Sequence, residues 1–418
     1  MKRSLLTRRQ LLGSAGLATL GLTLPIRRAM AAAGEKKIIF LYNYGGWDPT
    51  RVFATCFDSL GVDMEDDSEW VQLGDLSYVS HPNRPGVDEF FAGWGHRSQI
   101  INGVLVPSIA HENCMKLSMT GTSADGASDW PSMLASASLE ARSLPHLVIA
   151  GPSFPGDLGG VVTRTGSSGQ LAALLNGEII DWSDTPTGAP GIHATRLMDS
   201  YMDRRLAALV DGSADSRHKA LMEASRAAHG RAMELKDLDG VISWSSGTSL
   251  GAQVELAVDA LSQGLSRCLT LNSGYTWDTH SQNDYYQDIH FSSLFDELVK
   301  LMQLLEMTPG EGAGSLADET LVVVLSEMGR TPQLNSSDGK DHWPYTSVLM
   351  IGSDFNGRVI GGYDEYYYGL QVDPVSGEPT ETGYDISAAA LGATLLEWMG
   401  VEPGEHLDGT VSLPGIFL

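Results

Sequence analysis

The sequence predicts an α/β protein with a mostly parallel central sheet and helices on both faces. Three observations carry this. Runs that are apolar without alternation (IIFLY, IINGVLV, HLVIAG, LTL, LVVVL, VLMIG) recur along the chain, as strands covered on both faces do. Helical patterns lie between most of these runs, the arrangement that builds parallel sheets. Clusters of Asp, Glu and His follow the runs instead of interrupting them, and in such sheets ligands bind at the carboxyl ends of the strands.

Lys36–Gly46 reads as the first strand, ending in a glycine pair before Trp47 and Asp48. Ser98–Val106 is a second strand, and PSIAHENCMKLSMTG after it reads as a turn and then a helix. His146–Gly151 is a third. Gly156–Gly191, rich in Gly, Ser, Thr and Pro, reads as long connections. Thr195–Leu238 is helical and highly charged, with Met, Leu and Ala at helical spacing, and reads as a pair of helices on one edge. Val254–Leu265 is a helix and Cys268–Ser273 a strand. Phe291–Met307 is an amphipathic helix stopped by Pro309-Gly310. Leu321–Leu325 and Ser347–Gly352 are strands, Tyr363–Thr382 is loop-like, and Ile386–Met399 is the last helix.

Residues 1–33 read as a twin-arginine export signal: Arg8-Arg9 before Gln10-Leu11-Leu12, a short Gly-rich apolar stretch, then small residues from Ala29. The expected location is periplasmic or secreted. Residues 34–418 are expected to form one α/β domain with a helical insertion at about 195–240, and no later stretch is long and apolar enough to span a bilayer. The whole chain carries a net charge of −25, and loss of the six Lys and Arg residues before position 31 takes it to −31. Such a surface repels nucleic acid and anionic lipid. An anionic substrate then requires a local cation, which a bound metal supplies. The odd count of three cysteines leaves at least one unpaired in a monomer.

Four clusters bear the ionisable side chains. In GGWDP, Asp48 lies just past a strand, either as a ligand or as a cap of the turn that follows. In PSIAHENC, His111 stands at a helix start, as a functional residue or a satisfied core histidine. In GYTWDTHSQN, Asp278 and His280 are i and i+2, and in extended backbone the two point the same way, toward one cation. The other reading of that stretch is a polar loop held by Trp277. In SEMGRTPQLNSSDGKDHWP, Glu327 ends a strand, Arg330 neutralises it or clamps an oxyanion, and Asp341-His342 return to the same edge. The alternative is a solvated loop with Glu327–Arg330 and Lys340–Asp341 ion pairs. Together the clusters offer oxygen and nitrogen ligands for one or two divalent ions.

The ordered set formed by the twin-arginine start, GGxD, GYTWDTH, SEMGRTPQLN, GKDHWP and the tail IGGYDEYYYGLQVDPVSGEPT resembles the exported domain-of-unknown-function family 1501. That family is similar to the alkaline phosphatase and sulfatase superfamily, which implies an alkaline phosphatase/sulfatase-like sheet with metal at its strand ends. The resemblance makes Asp48, Asp278, His280, Glu327 and His342, with Asp341, the metal set, and a divalent metal (Zn, Mn, Ca or Mg) the cofactor. It implies hydrolysis of a small anionic phosphate or sulfate ester, with His111 and Arg330 as catalytic candidates. The superfamily's nucleophile position departs from the pattern. Nine residues before Thr120-Gly121 stands His111, preceded by Ala110, and the nearest hydroxyl is Ser108. The alternative function is a non-catalytic exported binding or assembly protein on the same scaffold.

Overall fold

The computed structural model describes residues 35–417 except 167–168, 176–177, 181–185, 189, 237–247 and 313. The expected export signal, 1–33, lies outside the described residues. Eight strands form the main sheet: β1 (Lys37–Asn43), β2 (Ser98–Leu105), β3 (His146–Val148), β4 (Val162–Arg164), β5 (Cys268–Asn272), β6 (Thr320–Ser326), β7 (Tyr345–Ile351) and β8 (Arg358–Gly361). Their spatial order is β8-β2-β7-β6-β1-β5-β3-β4. Seven run in one direction. Only β7 is reversed, pairing antiparallel with both β6 and β2.

The unbroken apolar runs arise because both faces are covered. Along β1, Ile39 and Leu41 enter one core with Val87, Phe90 and Phe91 of α1 (Pro85–Trp94), with α6 (Leu250–Ser262) and with α7 (Asn283–Met307). Ile38, Phe40 and Tyr42 enter the opposite core with Met119 of α2 (His111–Thr120), Trp130 of α3 (Trp130–Ser136) and the apolar side of α8 (Ala388–Trp398). The charged pattern from 195 onward forms two 21-residue helices, α4 (Ile192–Gly212) and α5 (Ser216–Lys236).

Elements without a strong period were not legible. The hairpin Glu69–Leu73/Leu76–Ser80, helix α1 and edge strand β8 carry no apolar run of the length that marks the core strands. Strand β4 lies inside 156–191, expected as connections, and is only three residues long. Helix α7 begins at Asn283, eight residues before the expected Phe291. Its first turns face the functional loops, so their polar side chains are buried and break the amphipathic pattern. All three cysteines are free. No helix among the described residues is long and apolar enough to cross a membrane.

The reversal of β7 positions the site. The polar loop 327–344 leaves the carboxyl end of β6 and need not cross the sheet, because an antiparallel strand starts at the edge where its neighbour ends. His342 therefore returns beside the ends of β1, β5 and β6.

Candidate metal centre

Three imidazoles and one carboxylate converge at this edge. His342 Nε2 lies 3.0 Å from His280 Nε2 and 3.1 Å from Asp278 Oδ1. His280 Nε2 is also 3.1 Å from Asp278 Oδ1, and His111 Nε2 is 3.5 Å from Asp278 Oδ2. His111, Asp278 and His342 each offer a ligand atom within 4.8 Å of the others.

The tautomers follow from the outer nitrogens. His111 Nδ1–H donates to Glu327 Oε1 at 2.9 Å, His280 Nδ1–H to Asp341 Oδ1 at 2.8 Å, and His342 Nδ1–H to the Ile109 carbonyl at 2.7 Å. Each acceptor fixes the proton on Nδ1, so the three Nε2 lone pairs face one another and Asp278. This is how metal-bound histidines are supported from behind. His111 Nε2 is buried with no hydrogen-bond partner. Metal–nitrogen bonds of about 2.0–2.1 Å put neighbouring donor atoms about 2.9–3.4 Å apart, and the observed spacings run from 3.0 to 3.5 Å. The residues fit a divalent metal.

Each donor is placed by a local feature. His111 is the first residue of α2, whose N-cap is Ala110, and it packs beside Tyr44 with ring centroids 5.2 Å apart. Asp278 follows the buried Trp277, whose indole N–H donates to Ser273 Oγ at 3.0 Å, so the tryptophan does hold this loop. Gly45 has φ +118°, and a Cβ there would stand 2.5 Å from the Asp278 amide nitrogen. Gly45 therefore admits the Trp277–Asp278 backbone. Loop 327–344 is closed by the pairing of Gly329–Arg330 with His342–Trp343. It is tied to the His280 segment by the amides of Lys340, Gln282 and Asn283.

Glu327 and Asp341, expected as ligands, stand behind the imidazoles instead. Glu327 is fully buried, and its Oε1 also accepts the Gly45 amide at 2.7 Å. That hydrogen bond to Glu327 raises the His111 pKa against the opposing effect of burial. Arg330, expected to hold an oxyanion, is fully buried and committed. Its Nε donates to Gly46 O, Nη1 to Lys340 O, and Nη2 to both Gly45 O and Asp278 Oδ1, the last at 2.7 Å. Burial pushes the Asp278 carboxyl up, but the Arg330 guanidinium outweighs it and brings it down to about 2. The expected Glu327–Arg330 and Lys340–Asp341 pairs give way to Arg330–Asp278 and Lys340–Asp48.

Asp48 stands outside the convergent set. It caps the turn Pro49–Arg51, as the blander sequence reading had it, with Oδ1 accepting the Thr50 amide and hydroxyl. Its Oδ2 faces Lys340 Nζ at 2.9 Å and Asn283 Nδ2 at 2.9 Å. Burial pushes this carboxyl up, yet Lys340 and Arg51 hold it well below the usual carboxylate range. Sequence reasoning missed Lys340, Asn283 and Gln287, whose Oε1 accepts the Asp48 amide; a polar side chain gives no linear signal that it will be buried.

A hydroxyl nucleophile is not provided at the start of α2. Ser108 Oγ accepts the Ala110 amide at 3.2 Å, while Ser118 and Thr120 are buried further along the helix. Burial pushes the Cys114 thiol up to about 11. Another acid–histidine group, Glu65, His81 and Asp288, is already filled by the Arg84 guanidinium, which donates to both carboxylates.

The family model described as a protein of unknown function, DUF1501, matches residues 104–403, and the chain belongs to that family. No curated protein matches it. Among solved structures it is similar to a Vibrio parahaemolyticus protein of the alkaline phosphatase superfamily, at 12% identity and TM-score 0.37, covering 88% of this chain and 67% of that one. A Bacteroides thetaiotaomicron protein of glycosaminoglycan metabolism is similar at 9% identity and TM-score 0.41, with 92% and 77% covered. The phosphonate monoester hydrolase of Agrobacterium radiobacter is similar at 11% identity and TM-score 0.34, with 91% and 77% covered. No activity follows for this chain from likenesses at these levels.

Proposed function

We propose that the chain is an exported, metal-dependent hydrolase of small phosphate or sulfate esters. The observation that carries the proposal is the convergence of three Nε2 lone pairs on Asp278 while every Nδ1–H is held from behind. Three imidazole nitrogens favour zinc over manganese, calcium or magnesium, which oxygen ligands suit better. A divalent ion in this set supplies a Lewis acid and lowers the pKa of a water toward neutrality, so no serine, threonine or cysteine nucleophile is required.

The chain's own residues hold this arrangement in place. Glu327, Asp341 and the Ile109 carbonyl keep the three rings turned inward. Arg330 fixes Asp278 and keeps it anionic. His111 serves as a donor, because its Nε2 points into the set. The side chains of His280 and Asp278 are 46% and 30% exposed, so an ester reaches the centre from solvent. Water adds to phosphorus or sulfur, the ester oxygen leaves, and its proton comes from the attacking water. The twin-arginine pattern of residues 1–33 supports export to the periplasm or beyond.

Metal analysis of the mature chain, followed by aryl phosphate, phosphodiester and aryl sulfate substrates with an Asp278→Ala control, tests the proposal. Co-purifying or rebinding metal with turnover lost in Asp278→Ala is expected. Activity that survives the substitution excludes this site. The missing hydroxyl at the start of α2 favours the second reading, a binding protein with a structural metal, which predicts bound metal without turnover.

A further inference from the structure

We infer that the Lys340 ammonium is a built-in cation at Asp48, so that this edge of the sheet takes a single exogenous divalent ion. The inference rests on the metal-centre reading above and concerns how many ions that centre holds.

Lys340 and Asp48 are both fully buried. Lys340 Nζ lies 2.9 Å from Asp48 Oδ2, 3.3 Å from Thr50 Oγ1 and 3.4 Å from the Asp63 carbonyl. A carboxylate, a hydroxyl and a carbonyl around one buried positive charge form an oxygen-only donor set, the kind that hard cations select. Asp48 has little capacity left for another ion. Thr50 occupies Oδ1, Asn283 donates to Oδ2, and Arg51 Nη2 stands 3.6 Å from the same oxygen. An ion entering there must displace a buried ammonium and leave it unpaired, which is unfavourable.

The ammonium and the imidazole centre share a wall. Arg330 donates to the Lys340 carbonyl, to the Gly45 and Gly46 carbonyls that precede Asp48, and to Asp278. The loop that delivers His342 thus delivers Lys340 two residues earlier. It places a fixed cation on one acid of this edge and leaves the other acid, Asp278, for an exchangeable one.

Elemental mass spectrometry of the full mature chain, loaded with manganese or zinc and then gel-filtered, tests this without reference to activity. About one equivalent is expected in the native sequence. Lys340→Gln in millimolar calcium should gain about one further equivalent, and Lys340→Gln/Asp48→Asn, which leaves no unpaired buried charge, should return to one. Two equivalents in the native sequence, none in the double variant, or a folded Lys340→Gln that gains nothing would overturn the inference. Zero equivalents in the native sequence removes the metal centre itself and is distinguished by that count. The native measurement decides even if a variant does not fold.

Discussion

The Nε2 atoms of His280 and His342 lie 3.0 Å apart while the Nδ1 of each ring donates elsewhere, to Asp341 and to the Ile109 carbonyl. Two lone pairs at that distance repel unless a proton or a metal lies between them. His342→Ala or His111→Ala is therefore expected to lower zinc or manganese affinity by at least about 100-fold, against about 10–100-fold for Glu327→Gln, which acts through His111. Isothermal titration of the three variants checks the ranking.

Protons compete for the same lone pairs, so metal affinity should fall as pH drops through the imidazole range. The hydrogen bond to Glu327 raises the His111 pKa, so competition begins at higher pH than for a free imidazole. Glu327→Gln should move the pH below which affinity begins to fall to lower values, while its affinity at pH 8 is weaker. Metal release followed against pH in both proteins tests the sign.

Arg330 is expected to hold the site together and not to hold substrate. Arg330→Met strips the partner from Asp278 and frees three backbone carbonyls, so metal binding and thermal stability should drop together. A variant that kept its metal and its melting temperature but raised KM alone would instead support an oxyanion clamp.

Gly45→Ala tests the packing behind Asp278. With φ +118° and 2.5 Å to the Asp278 amide, the methyl group has no room, and a loss of about 2 kcal/mol or more in urea unfolding is expected.

His146 sets an acid limit on stability outside the site. It is fully buried, with Nε2 2.9 Å from Thr270 Oγ1, and desolvation brings its pKa down from 6.5 to about 4. Between those values the unfolded chain binds a proton that the folded chain refuses. Stability should therefore fall from pH 6.5 toward pH 4 by up to about 3 kcal/mol and level off below. The difference in urea midpoint between native protein and His146→Gln across this window isolates the histidine's contribution.

The sequence by itself determined the sheet, because burial on both faces requires unbroken apolar runs, and such runs are local. It also singled out His111, Asp278, His280 and His342, since Asp and His after a strand have nowhere to go but the strand ends. Their division of labour was decided only in three dimensions. Glu327 and Asp341 are as good ligands on paper as Asp278, but they sit behind the rings and accept Nδ1–H. Asp48 is as acidic as Asp278, yet Lys340, 292 positions away in the chain, reaches it first. Neither fact has a local signature. Which carboxylate meets a cation depends on which loop returns beside it, and the reversed strand β7 sets that return.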